Sequence, residues 1–190
     1  MAQKLIRYVA QSTGLSRREV MRRLQQGRIQ VNGRVQTAST VQVEQGQDRV
    51  VMDGSLVPHL PPLHLMMYKP RATICARDDD QGRGTVYELL RPTHRRAASV
   101  GRLDFHTTGL LLFTTEGNLA QRLTRPQRAI QRVYRVKLKG DVSEDKLDRW
   151  LDGVHVQGRI MTAQRVKMIS STAGHATVNV TLTSGANRQI

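Results

Sequence analysis

A single cysteine, Cys75, stands in 190 residues, so the chain holds no internal disulfide framework and its composition suits a reducing cytoplasm. A lone cysteine reads as inert packing rather than as a reactive thiol. Aromatic residues are scarce too: one Trp, four Tyr and two Phe. That is too few for the broad stacking platforms that hold single-stranded nucleic acid. No apolar run approaches the roughly 20 residues of a membrane span. The first ten residues, with Lys4 and Arg7, lack an apolar stretch fit for a secretory signal. Acids are also few, 15 against 30 Lys and Arg, for a net charge of +15. This excess specifies no fold, but it selects a polyanionic partner, and with no membrane-directed segment that partner is nucleic acid. No metal is expected. The six histidines show no ligand spacing, and Asp78-Asp79-Asp80, without a spaced further ligand, reads as a solvated loop.

Along the chain, the first segment reads as two helices and a hairpin. Leu5, Ile6 and Val9 have helical spacing before Gly14. Ser16-Arg17-Arg18-Glu19 fits a capping box, and Val20, Met21 and Leu24 form an apolar stripe ended by Gly27. Ile29 and Val31 alternate with polar residues into Asn32-Gly33, a hairpin turn signal. Val41 to Val43 and Val50 to Met52 read as further strands, the second closed by Asp53-Gly54. Pro58, Pro61 and Pro62 fix φ and remove donors, which marks a semi-rigid linker. The expected division is 1–57, a linker over 58–63, and a second domain over 64–190.

In that second domain Leu63 to Tyr68 is an apolar run, Val86 to Leu90 suggests a short helix, and Leu110 to Phe113 suits a buried strand. Leu119 to Leu123 predicts a helix stopped by Pro126, and Val133 to Leu138 alternates as a strand. Ser143 is a candidate cap for a helix carrying Leu147, Trp150 and Leu151 inward, with Gly153 as its stop. From Ala176 to Thr183 alternation is strict, with Val178, Val180 and Leu182 on one face. Strands with few helices imply an α+β fold: a small helix-helix-β-hairpin domain, then a domain with a mixed, largely antiparallel sheet flanked by helices.

The cations are clustered. Residues 1–34 hold eight Lys or Arg against one acid, Glu19. Arg17, Arg18, Arg22, Arg23 and Arg28 are the candidate RNA contacts, with Arg18 and Arg22 on one helix face. A second cluster, Arg122, Arg125, Arg128, Arg132, Arg135, Lys137 and Lys139, contains no acid between Gly117 and Lys139. Arginine forks suit phosphate, and two such surfaces imply an extended, salt-sensitive backbone contact.

One acid stands apart. Asp104 lies between Gly101 and Gly109 and beside Arg102, just ahead of the Leu110 to Phe113 run. A carboxylate held ionised on such a loop suits a nucleophile or general base, although a loop aspartate is more commonly a turn former. The run Gly101-Arg102-Leu103-Asp104-x-x-Thr107-x-Gly109-Leu110-Leu111-Leu112-x-Thr114-x-x-Gly117 resembles the signature of pseudouridine synthases, in the branch named after RsuA. Tyr68-Lys69-Pro70, Arg132-Val133-Tyr134 and Gly185 to Ile190 resemble further motifs of that family in the same order. Residues 1–57 resemble the RNA-binding domain first described in ribosomal small-subunit protein four. Ala72, Arg132 and Ser184 depart from common family residues.

The resemblance implies that a uridine of ribosomal RNA is flipped into a pocket, at a cost of about a few kcal/mol. Asp104 then attacks the sugar or the uracil ring as the catalytic nucleophile. It implies Tyr134 stacking on the extruded base, Arg102 and Arg188 as substrate contacts, no cofactor, and a cytoplasmic monomer. It also implies a C-terminal continuation beyond Ile190 that supplies a basic partner for Asp104, so residues 1–190 are expected to bind RNA but to isomerise it slowly or not at all. The alternative reading is a non-catalytic RNA-binding or ribosome-assembly protein that keeps the scaffold.

Overall fold

The computed structural model describes residues 2–156, 158–172 and 174–183. The chain divides into two compact units, Met1–Gln121 and Arg122–Ile190.

In the first unit, β1 (Ala2–Lys4) leads into α1 (Leu5–Thr13), and α2 (Arg17–Gln25) follows. Gly14 ends α1 with its N–H on Ala10 O, and Ser16 Oγ accepts the Glu19 N–H at the start of α2. The cap is one-sided, because both Glu19 oxygens receive bonds from Arg22 and Arg23 instead. Short strands come next: β2 (Ile29–Val31), β3 (Arg34–Gln36), β4 (Gln42–Glu44), β5 (Val50–Met52) and β6 (Ser55–Leu56). Asn32 and Gly33 both take positive φ, 51° and 80°, and close the β2–β3 hairpin as their side chains allow. The sheet order is β3-β2-β5-β6, while β1 pairs with β4. Leu5, Val9, Val20, Leu24, Ile29, Val43 and Val50 form one core with Tyr8 and Val57, and each large aliphatic buried there contributes about 1.5–3 kcal/mol.

The same unit continues with β7 (His64–Lys69), β8 (Ala98–Val100) and β9 (Gly109–Thr114), an antiparallel sheet in the order β7-β9-β8. Val86, Leu90, Ala97, Leu111 and Phe113 pack on its inner face. Its outer face leaves Met66, Tyr68 and Leu110 exposed. The helix expected over Val86 to Leu90 is instead a run of turns. Thr85 and Glu88 cap each other there, Thr85 N–H and Oγ1–H donating to the Glu88 carboxylate while Glu88 N–H donates to Thr85 Oγ1. Arg91-Pro92 follows at once, and so few residues cannot sustain a helix. Arg96 ties the two parts of the unit together, donating to Gln11 O at 3.2 Å and Pro61 O at 2.7 Å. Gln11 Nε2 donates to Thr115 O in turn.

α3 (Gly117–Thr124) crosses the division at Gln121. The second unit then holds β10 (Arg132–Lys139), α4 (Glu144–Asp152), β11 (Val154–Val156), β12 (Arg159–Met161), β13 (Arg165–Thr172) and β14 (His175–Leu182). Its main sheet is antiparallel, ordered β10-β14-β13, and β11 pairs with β12. Leu147, Val178, Val180 and Leu182 anchor the core. Two expectations fail here. Ser143 makes no side-chain cap bond to α4, and Leu151 faces solvent rather than the core.

The fold is α+β. Among the described residues every strand pairing is antiparallel, and the one parallel contact is the isolated bridge Ile74 to Thr85.

Candidate active site

β8 and β9 carry the Asp104 loop between them. Gly101 enters it at φ 78° and Gly109 leaves it at φ 136°, values that side chains disfavour. Asp104 and Arg102 are both exposed. Among the described residues no cation forms an ion pair with the Asp104 carboxylate, Arg102 included.

What shapes the loop is Lys69. It lies at the end of β7, opposite Gly109, and is fully buried. Its Nζ donates to Thr107 O at 2.8 Å, Pro70 O and Asp104 O at 3.0 Å, and Phe105 O at 3.4 Å. An ammonium has three protons and no acceptor, so one buried charge gathers the loop's carbonyls inward and leaves the Asp104 side chain outward. Burial pushes the Lys69 ammonium below its usual range, with the neighbouring Cys75 and Asp104 acting in the opposite direction. Cys75 does more than pack. Its Sγ donates to Leu103 O at 3.3 Å and accepts from Leu103 N at 3.4 Å, a second brace one residue before Asp104.

Sequence reasoning passed over Lys69 as a site residue, yet the signal was present. Period-two alternation puts Lys69 on the face of Leu65 and Met67, which pack on the core, and a lysine in a core register needs partners.

The other expected residues divide by unit. Tyr134 belongs to the second unit, half-buried on the face of β10 that carries Val136 and Leu138. Arg188 and the Gly185 to Ile190 motif lie outside the described residues. In the first unit Arg17 and Arg18 are exposed. Arg22 and Arg23 pair with Glu19 at 2.7 and 2.9 Å. Arg23 also pairs with Asp53, which takes Arg28 as well. The pattern of one acid in residues 1–34 therefore understated the local balance, because Asp53 comes in from the β5–β6 turn. The Asp78 to Asp80 run behaves as a self-contained loop, in which Arg83 donates to both oxygens of Asp79 and holds its carboxyl down at about 2. Among the described residues no three His, Cys, Asp or Glu side chains come together, and no helix is long and apolar enough to cross a membrane.

The RNA pseudouridylate synthase family matches residues 63–190. The chain belongs to that family. Its relatives match the whole chain, residues before 63 included. The ribosomal large subunit pseudouridine synthase B of Yersinia pestis is 36% identical over 100% of this chain and 62% of its own length. That of Salmonella typhi is 37% identical, covering 100% and 67%, and that of Escherichia coli K12 is 36% identical, covering 100% and 67%. The chain thus spans about two thirds of the length of these pseudouridine synthases. A crystal structure of a pseudouridylate synthase superposes with a TM-score of 0.61 at 26% identity, over 98% of this chain and 79% of that one.

Proposed function

We propose that the chain converts a specific uridine of ribosomal RNA to pseudouridine, with the Asp104 carboxylate attacking a flipped-out nucleotide. The carrying observation is the exposed Asp104 on a loop whose backbone is drawn around buried Lys69. A nucleophile must be accessible and rigidly presented, and this loop meets both needs. The attack falls on the sugar's anomeric carbon or on the uracil ring. In either case the bond from sugar to ring nitrogen breaks, a bond to ring carbon forms, and that carbon's hydrogen leaves as a proton. No cofactor enters the scheme, Tyr134 stacks on the extruded base, and Arg102 and Arg188 contact the nucleotide.

The same proposal makes residues 1–57 an RNA-binding domain, 58–63 a linker and 64–190 the catalytic domain. The first core is drawn wholly from Leu5 to Val57, which supports that boundary. Arg17 and Arg18, with the paired Arg22, Arg23 and Arg28, form its RNA-facing side. The names of the relatives favour large-subunit ribosomal RNA as substrate, and that substrate favours a cytoplasmic, monomeric protein.

The test is Asp104→Asn, which keeps size but removes the nucleophile. Tritium release from uracil-labelled ribosomal RNA transcripts is expected to fall to background while RNA binding survives. Residual turnover above about 1% of the parent rate, some 3 kcal/mol of barrier, would remove Asp104 from this role.

A further inference from the structure

The outward face of the second unit's main sheet gathers Arg135, Lys137 and Lys139 of the second basic cluster with two cations far from them in sequence, Arg165 and Lys167. Alternation along β10 turns Tyr134, Val136 and Leu138 to the core and leaves Val133, Arg135, Lys137 and Lys139 outside. On β13 Val166 and Met168 go inward, and Arg165 and Lys167 go outward. The register joins the two rows across β14. Arg135 and Lys167 both stand opposite Asn179, Lys137 stands opposite Thr177, and Arg165 stands opposite Thr181. Five exposed cations thus flank a floor of Thr177, Asn179 and Thr181. Same-face neighbours on a strand are about 6.7 Å apart, and rows two strands apart are about 10 Å apart.

Nothing offsets this charge. Among the described residues none of the five has a carboxylate partner. The acids of residues 122–183 all fall in one stretch, Asp141, Glu144, Asp145, Asp148 and Asp152. That stretch is α4 and its approach, and α4 packs through Leu147 against the opposite, core-facing side of the sheet. Acid and base are therefore sorted to opposite faces. The cations repel one another along each row and, more weakly, across β14, so an unpaired array of this kind is at its most stable when a polyanion lies on it.

We infer that this face binds the RNA backbone, one strand lying along the polar floor between the two rows of cations. The inference rests on the reading of the chain as an RNA-modifying protein and extends it to a surface remote in sequence from the Asp104 loop. The exposed apolar residues here are Val133 and Ile169, and neither is aromatic, so bases find no aromatic platform to stack on. The contact is to phosphate and ribose, and it is indifferent to sequence. A protein partner would want an apolar anchor at the centre, where this face has Thr177 and Asn179.

The experiment uses the full chain with Lys137→Glu and Lys167→Glu combined, and a second variant with both lysines changed to Gln. Affinity for a ribosomal RNA transcript, and for an unrelated RNA of equal length, is measured between about 50 and 200 mM salt. Both variants are expected to bind both RNAs about tenfold or more weaker than the parent, and the slope of log affinity against log salt is expected to shrink by about 1.5–2. Thermal unfolding should be unchanged or improved, since repulsion is removed. An unchanged slope in the Gln variant overturns the proposal. So does a loss confined to assembled ribosomal particles with naked RNA bound normally, because the occupant would then be an acidic protein. Binding is read without turnover, so the result stands or falls independently of how fast residues 1–190 isomerise RNA.

Discussion

In the first unit several cations are enclosed or matched, although Arg17 and Arg18 stand exposed. Lys69 lies buried under four carbonyl oxygens, and Arg22, Arg23 and Arg28 are held by Glu19 and Asp53. In the second unit Arg135, Lys137, Lys139, Arg165 and Lys167 stand exposed along one sheet face, without carboxylates among the described residues. The same formal charge therefore does two kinds of work. Matched cations set local geometry and are felt as stability, weakly screened at buried Lys69 and more strongly screened at the solvent-facing arginine pairs. Unmatched cations add self-repulsion to the free protein and release it on binding a polyanion, so their effect is felt as affinity and as salt dependence. Formal charge counts along a sequence cannot separate the two.

The strongest test of the internal kind is Lys69→Met, which keeps the stem and deletes the ammonium. Several carbonyls lose their donor at once, so unfolding free energy is expected to fall by about 2–4 kcal/mol. Turnover should fall with it as the Asp104 loop relaxes. RNA affinity and its salt slope should stay close to the parent, since Lys69 faces no solvent. Denaturant titration alongside RNA titration checks both parts. A stability change below about 0.5 kcal/mol would mean that the loop holds its shape without the lysine.

A smaller effect with two opposite signs is expected from Asp53→Asn. Asp53 sits at φ 53° in the β5–β6 turn, a conformation that asparagine also tolerates. The change therefore removes charge while keeping the turn. Losing the partner of Arg23 and Arg28 should cost about 1 kcal/mol of stability at this partly exposed site. The same change unmasks two cations on the proposed RNA-facing side. RNA affinity should rise about two- to fivefold and its salt slope should steepen by up to about 2. Affinity that falls in step with stability would show that Arg23 and Arg28 serve the fold and not the RNA.

Legibility followed the range of the information. The Asn32-Gly33 hairpin, the Ser16 start of α2 and the strict alternation of β14 are local codes, and each appears where the sequence put it. β1 was invisible because Ala2–Lys4 has no pattern of its own and exists by pairing with Gln42–Glu44. The Val86 to Leu90 helix failed because a genuine start signal, Thr85 with Glu88, is followed too soon by Pro92. Asp104 looked like an ordinary loop acid on physical grounds, and family resemblance singled it out. The support beneath it was half legible: alternation put Lys69 in the core register, but nothing local showed that Pro70, Asp104, Phe105 and Thr107 would turn their carbonyls toward it. Asp53 was read as a turn residue, and its ion pairs with Arg23 and Arg28 depend on contacts 30 and 25 residues away.

The smallest expected effect concerns pH and isolates one matched pair. Hydrogen bonds from Arg22 and then Arg23 hold the Glu19 carboxyl down at about 2, against an ordinary 4.5. A depressed carboxyl stabilises the fold in full above its unfolded value and loses that contribution as pH falls through its folded one. For Glu19 the window therefore runs from 4.5 down to about 2. Parent and Glu19→Gln should differ most near neutral pH, with the parent more stable, and their stability curves should converge as pH falls through that window. The difference should be small, since Glu19 and its arginines meet solvent, and it should shrink further with added salt. Carboxyl-resonance titration reads the same event directly, with Glu19 titrating well below an unpaired glutamate. Curves that run parallel from neutral pH to acid would mean that Glu19 gains nothing from its arginines in solution, and the first unit's helix would then present its charge as openly as the second unit's sheet.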